Sequence, residues 1–196
     1  MVESRSSSNT TSPPTAYCVD IDDHLAAFDL TEKLIESGAK NIAYISFSLN
    51  TTARKRRLDG YKAALEKHHI EFSDRMVICN SMPASLHDAG RDCAGIYTAR
   101  NLDADAVVLS DLLMLNGIIS FCDQIKTPAL QKLKTLPVAT FDYQNKNGPS
   151  DIRYSVTQPI EEIGSKTVQV LMESLKESSA VPAIQIIAHD IHTLQK

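Results

Sequence analysis

The sequence has no glycine-rich phosphate signature. Its glycines stand at positions 38, 60, 90, 95, 117, 148 and 164, and none has the G-x-G-x-x-G or G-K-[ST] spacing with which backbone N–H groups cradle a nucleotide. There is no G-x-S-x-G elbow, no H-E-x-x-H pair and no cysteine or serine in a nucleophile's local context. This disfavours an enzyme, although a triad assembled in space stays open. Cys18, Cys79, Cys93 and Cys122 are scattered, with no C-x-x-C pair and no histidine at ligand spacing. They predict small buried apolar residues in a reducing cytosol rather than a metal site. No apolar run approaches the ~20 residues that span a bilayer, and the first residues, MVESRSSSNTTSPP, have no apolar core of a secretory signal. The expectation is a cytoplasmic chain with no membrane partner. A basic surplus is missing too: the net charge is −4, which does not suit a free-standing nucleic-acid binder. No catalytic residue, cofactor or metal is assigned.

What is present is globular: 196 residues, 43% hydrophobic and 22% charged, enough for one sizeable core. Residues 1–16, dominated by Ser, Thr, Asn and Pro, predict a disordered tail or linker, because they cannot bury enough apolar surface to offset ordering. Beyond them helical and extended patterns alternate. Asp22 and Asp23 are cap candidates for a helix carrying Ala27, Leu30 and Leu34 and stopped by Gly38. Asn41 to Ser46 reads as a strand, and Leu58, Tyr61 and Leu65 mark a second helix. Met76 to Cys79 is the next strand, followed by a helix through Leu86, Ala89, Cys93 and Ile96 and a strand from Ala106 to Ser110. Leu112 to Ile125 predicts a deeply packed helix, Leu136 to Asp142 a strand, Tyr154 to Gln158 an extended segment, Ile160 to Leu175 a long helix, and Ile184 to Ile191 a closing strand.

Such alternation implies βαβ units: an α/β fold with a parallel sheet covered by helices on both faces. Ligands of these folds bind at the carboxyl ends of strands. That directs attention to Ser46 through Arg57, Asn80 and Ser81, Ser110 and Asp111, and Asp142 through Asn145. Asp20, Asp22 and Asp23 also suggest the acidic cluster of a phospho-accepting receiver. Those acids are expected to precede a helix rather than to end a hydrophobic strand, which argues against that reading.

Several segments, in order, resemble the sensor domain of LacI/GalR-type transcription regulators. Cys18 to Phe28 (CVDIDDHLAAF) resembles V-x-x-D-N-x-x-A-A. Leu34 to Ile45 (LIESGAKNIAYI) resembles L-I-x-x-G-H-K-x-I-A-x-I, with Ala39 for the usual His. Arg57 to Leu65 (RLDGYKAAL) matches R-x-x-G-[YF]-x-x-A-L. Ala106 to Asp111 (AVVLSD) resembles the strand that ends beside the ligand. Val138 to Asp142 (VATFD) resembles V-x-G-[FY]-D, with Thr140 for Gly. Ser155 to Gly164 (SVTQPIEEIG) resembles T-[TS]-[IV]-x-Q-P-x-x-x-[IL]-G. The resemblance implies a type I periplasmic-binding-protein-like fold, mainly one lobe. Residues 23–142 and 180–196 form the second lobe, and 153–178 supply a crossover and a first-lobe helix. Neither the family's helix-turn-helix nor its first lobe is recognised, so the expectation is a fragment that touches DNA only through a separate N-terminal domain. Its expected partners are a small-molecule effector (sugar, sugar phosphate or nucleoside) and further copies of itself.

The resemblance and the strand-end rule nominate Arg57, Asp111, Asp142, Asp22, Gln158 and Tyr143 as ligand-binding residues. Arg57 could fork onto hydroxyls, a phosphate or a carboxylate. The rest of Arg54-Lys55-Arg56-Arg57 reads as a solvated basic loop. Asp111 and Asp142 could accept ring hydroxyls or simply cap and turn. Asp22 and Gln158 fall where the family chain crosses between lobes, and Tyr143 could stack on a sugar face. Tyr61 is expected in the core and His68 and His69 at the surface. The apolar stripe Ile160, Ile163, Val170 and Leu171 is expected to lack partners and to drive self-association. Two other readings remain: a fragment of a sugar-binding protein serving a transporter, and a non-functional truncated remnant.

Overall fold

The computed structural model describes residues 17–80, 84–143, 152–176 and 184–194. The expected tail at 1–16, together with Ser81, Gln144 and Asn145, lies outside the described residues. In chain order the elements are β1 (Cys18–Ile21), α1 (Asp23–Glu36), β2 (Ile42–Ser46), α2 (Thr52–Lys67), β3 (Val77–Cys79), α3 (Leu86–Ala99), β4 (Ala106–Leu109), α4 (Met114–Ile125), α5 (Pro128–Lys134), β5 (Val138–Phe141), β6 (Ile152–Thr157), α6 (Ile160–Lys176), β7 (Ile184–Ile187) and β8 (Asp190–Thr193).

A six-stranded sheet runs β3-β2-β4-β5-β6-β8. Its strands are parallel except β8, which pairs antiparallel with β6. Alternating residues divide its two faces, as the pleat requires. Ile42, Tyr44, Ala106, Val108, Ala139 and Phe141 pack with α1 and α2, whereas Ala43, Ile45, Val107, Leu109 and Val138 pack with α3, α4 and α5. The expected α/β sheet, covered on both faces, is what the chain forms. Tyr61 is buried as expected, its hydroxyl donating to the Ile42 carbonyl at 2.8 Å.

Short polar residues start the helices. Asp22 caps α1 by accepting from the His24 and Leu25 amides, while Thr51, Ser85 and Thr127 cap α2, α3 and α5. Each satisfies N–H groups that a helix start leaves unpaired. Gly38, at φ 104°, turns the chain out of α1, a conformation that a Cβ would strain.

Three features depart from the sequence reading. Cys18–Ile21 is a strand, so Asp22 and Asp23 do follow a strand end. That strand belongs to a separate two-stranded sheet with β7, and Asp23 is spent on an arginine described below. The connection after α4 holds a seven-residue helix, α5, begun by Thr127 and Pro128. Finally, the single strand expected from Ile184 to Ile191 is two strands. Ile184–Ile187 joins β1, and Asp190–Thr193 joins β6 in the large sheet. Between them His189 is tied to Asp29 of α1, Nε2 to Oδ2 at 3.0 Å.

The small sheet and α6 form their own apolar patch. Val170, 6% exposed, packs with Val19 and Ile187, and Ile163 is half-buried beside them. These two residues of the expected bare stripe therefore do find partners within the chain. The neighbouring face does not: Ile160, Val168, Met172 and Leu175 are exposed, as are Leu171 of the stripe and Ile184 and Ile186 on β7. Val168, Leu171, Met172 and Leu175 recur at helical spacing on α6, and an exposed apolar stripe of this kind binds hydrophobic probes or other protein. We expect enhanced fluorescence of an anilinonaphthalene dye, or concentration-dependent mass in light scattering, and replacing Val168 and Leu175 by Gln reduces either signal. A strictly monomeric chain that leaves the dye dark contradicts this.

Candidate functional site

The carboxyl ends of β2, β4, β5 and β6 point to one edge of the large sheet, where polar side chains replace the apolar strand interiors. Ser46 ends β2, and the next residues reach α2 through Ser48, Asn50 and Thr51. Ser46 and Ser48 are both fully buried, and the Ser48 hydroxyl donates to Asn50 Oδ1. The basic run from Arg54 to Arg57 is the first turns of α2, not a solvated loop. Its helical spacing sends three guanidinium groups to three aspartates, while Lys55 between them is exposed.

Arg54 makes a bidentate pair with Asp111, Nε to Oδ2 at 3.1 Å and Nη2 to Oδ1 at 2.9 Å. It also lies 5.1 Å from the Phe47 ring. Ser110 Oγ stands 2.6 Å from Asp111 Oδ2 and 2.8 Å from Ser46 Oγ. Burial alone would raise the Asp111 carboxyl. The bonds from Arg54 and Ser110 and the charges of Arg54 and Arg57 outweigh it and hold the pKa below its ordinary 3.8. Asp111 is therefore an anion at neutral pH, with about a fifth of its side chain facing solvent.

Arg56 reaches Asp22, Nη2 to Oδ1 at 2.6 Å. There too burial opposes ionisation, and the Leu25 amide, Arg56 and the His24 amide together bring the carboxyl below its ordinary value. Asp20, partly buried on β1, moves the other way: desolvation and the neighbouring charge of Asp23 raise it against the bond from the Ile21 amide.

Arg57 is buried, 8% exposed. Its Nε donates to Asp23 Oδ1 at 2.7 Å, its Nη1 to the Ser110 carbonyl at 2.7 Å, and its plane lies 3.7 Å from the Phe141 ring centroid. One side chain thus fastens the start of α1, the end of β4 and the end of β5 together, beneath the surface on which Arg54 and Asp111 stand.

Asp142 follows β5 in the left-handed region, φ 62°, which aspartate tolerates better than most residues. Its amide donates to the Val156 carbonyl at 2.7 Å, and its exposed carboxylate accepts from Gln158 Nε2 at 2.9 Å. Tyr143, by contrast, turns into the core: it is 7% exposed, packs with the α3–α5 cluster, and its amide donates to Ser155 Oγ at 3.0 Å.

Of the nominated residues, then, Asp111 shares the strand-end edge with Asp142 and Gln158. Asp22 lies on the α1 side, Arg57 lies beneath as a tie, and Tyr143 is in the core. From sequence, Arg54 and Ser110 are marked only as residues that follow strands and Asp23 as a helix cap, and none of the three receives a site role. The one available signal was that an arginine in the first turn of a helix after a strand can reach the next strand end. A separate cavity of about 260 Å³, lined by Lys40, Ile42, Tyr61, Glu71 and Asp103 among others, opens at the opposite end, where β2 begins. Among the described residues there is no group of three or more acidic, His or Cys side chains able to hold a metal ion, and no helix long and apolar enough to cross a membrane.

Residues 7–89 match the family model described as periplasmic binding proteins and sugar binding domain of LacI family. An HTH-type transcriptional regulator of Lachnoclostridium phytofermentans is 28% identical over 181 residues, covering 92% of this chain and 52% of that protein. The transcription regulator CcpA of Lactococcus lactis has a crystal structure that superposes with a TM-score of 0.73 at 26% identity, covering 98% of this chain and 66% of its own. The transcriptional regulator CelR in its cellobiose complex, 22% identical, shares the fold with a TM-score of 0.76, covering 91% of this chain and 53% of its own. The chain spans about half the length of the curated relatives it matches. Sequence and fold agree: the chain is similar to the LacI family, in the periplasmic-binding-protein-like part described as its sugar-binding domain.

Proposed function

We propose that this chain is a non-catalytic effector-sensing unit of a transcription regulator, and that a small sugar-like molecule binds on the strand-end edge carrying Arg54, Asp111, Asp142 and Gln158. The observation that carries the reading is the Arg54–Asp111 pair: two ionised, partly exposed groups held in fixed geometry at the place where open parallel sheets bind ligands. Carboxylates accept from ring hydroxyls while the remaining guanidinium N–H groups donate to them. Asp22 borders the same edge. Arg57 and the Tyr143 backbone hold its floor, Arg57 orienting groups it does not itself replace.

In this reading β2 to β6, β8 and α1 to α5 form one lobe, and β1, β7 and α6 belong to the other. The exposed face of α6 meets protein outside this chain, whether a further copy or another segment. Ligand would shift the balance between open and closed lobes, and no bond is made or broken. With a net charge of −4, DNA contact would fall to another segment. Cellobiose in the CelR complex makes neutral saccharides the first compounds to try.

The test is a thermal-shift panel of sugars, sugar phosphates and nucleosides. A ligand at 100 times its Kd adds about 2.7 kcal/mol, which raises the Tm by roughly 5–10 °C for a chain of this size. Asp142→Ala and Gln158→Ala abolish the shift; Gln158→Ala leaves the unliganded Tm nearly unchanged, whereas Asp142→Ala lowers it by a few degrees, because alanine is strained by about 1 kcal/mol at φ 62°. A hit that survives both substitutions places the ligand elsewhere.

A further inference from the structure

Among the described residues the edge offers no unpaired guanidinium fork. Arg54, Arg56 and Arg57 are held by Asp111, Asp22 and Asp23 respectively, while Asp142 adds a carboxylate at the end of β5. Asp20 lies close enough to Asp23, Arg56 and Arg57 to feel their charges. Among the described residues, leaving Asp20 aside, the four carboxylates meet three guanidinium groups and the exposed ammonium of Lys55, so no cation is in surplus.

The pairing matters as much as the sum. The Nε–Nη2 edge of Arg54, which would fork onto a phosphate, is closed by both oxygens of Asp111. An incoming phosphate, with about 1.5 to 2 negative charges at neutral pH, must displace Asp111 and then sit beside it. Asp111 is itself kept ionised by Ser110 and the arginines. A hydroxyl faces no such conflict, since it can donate to Asp111 or Asp142 and accept from an unspent N–H.

We propose that the site selects neutral polyhydroxylated ligands and rejects their phosphate esters, with the Asp111 carboxylate standing as a built-in anion where the phosphate would bind. This rests on the effector-binding reading above and adds to it a ligand class. Discrimination comes from a repulsive group as much as from attractive ones, so removing a carboxylate relaxes it.

Isothermal titration of the full chain with glucose, ribose, maltose and cellobiose, each beside its terminal phosphate ester, tests the proposal. At least one neutral sugar binds, and its ester binds at least about tenfold more weakly, as like-charge juxtaposition demands. Asp111→Asn and Asp142→Asn each narrow that gap. The second keeps the left-handed backbone position accessible, so it stands if the first fails to fold. An ester that binds wild-type protein as tightly as its parent sugar overturns the charge selection while leaving the effector reading intact, as does a gap unchanged in both variants. No binding by any member of the panel overturns the effector reading, and this inference with it.

Discussion

Replacing Arg57 by Ala is expected to lower stability by about 3–5 kcal/mol, the cost of leaving a buried charge without its partner. For a domain of this length that lowers the Tm by roughly 10 °C or more. The charge left behind is Asp23, 2% exposed and bonded to Arg57 Nε at 2.7 Å. The same substitution removes the guanidinium packed on Phe141 at 3.7 Å and the donor to the Ser110 carbonyl. Adding Asp23→Asn to Arg57→Ala should recover part of the loss, because the orphaned charge then disappears and the two effects are coupled. Arg57→Lys should fall between, keeping the charge without the planar fork. Thermal melts by circular dichroism distinguish this account from one in which Arg57 mainly touches ligand. An unchanged Tm in Arg57→Ala would favour the latter.

Gly117→Ala is expected to destabilise by about 2–3 kcal/mol or more, as over-packing does, although alanine in a helix interior normally stabilises by roughly 0.5–1 kcal/mol. The sign reverses because α3 and α4 cross with backbone against backbone. A Cβ on Gly117 would lie 1.9 Å from the His87 carbonyl oxygen, and one on Gly90 would lie 2.0 Å from that of Met114. Neither neighbour is a flexible side chain, so the helices themselves must separate and loosen the contacts of Ala89, Cys93 and Ile118. Gly90→Ala should behave alike, and the double substitution should cost less than the sum, since either one opens the same seam. Gly164→Ala is the control: nothing lies within 4 Å of its Cβ position on α6, and it should stabilise slightly. Denaturant melts of the four variants read the contrast directly.

Much of the large sheet could be read from the chain because its strands are short uninterrupted apolar runs and its helices carry one-sided stripes. Ala106–Leu109 and Ile42–Ser46 are fully buried throughout, and a run buried on both faces shows no polar alternation to confuse it. What escaped was decided by distant partners. Cys18–Ile21 is four residues with an aspartate inside, and it is extended because Ile184–Ile187 pairs with it across the chain. The change of sheet between β7 and β8 falls at Ala188 and His189, too short an interruption to separate two strands until each finds its own partner.

The site divides in the same way. The strand-end rule pointed to Asp111 and Asp142 and the resemblance to Gln158, but which arginine meets which aspartate depends on how α1 and α2 pack. Arg54 meets Asp111 at a sequence separation of 57, and Arg57 meets Asp23 at a separation of 34. Motif matching alone favoured Arg57 as the ligand-facing arginine. The helical turn instead points Arg57 inward and leaves Arg54 at the edge.

Two-dimensional amide NMR of the labelled chain titrated with a stabilising sugar tests the location of the site most directly. The account predicts that the largest shifts fall on residues 46–54, 110–112, 142–143 and 157–158, with little change near Lys40, Ile70 and Glu71 around the cavity at the other end. Shifts centred on that cavity, with the strand ends unmoved, would contradict it.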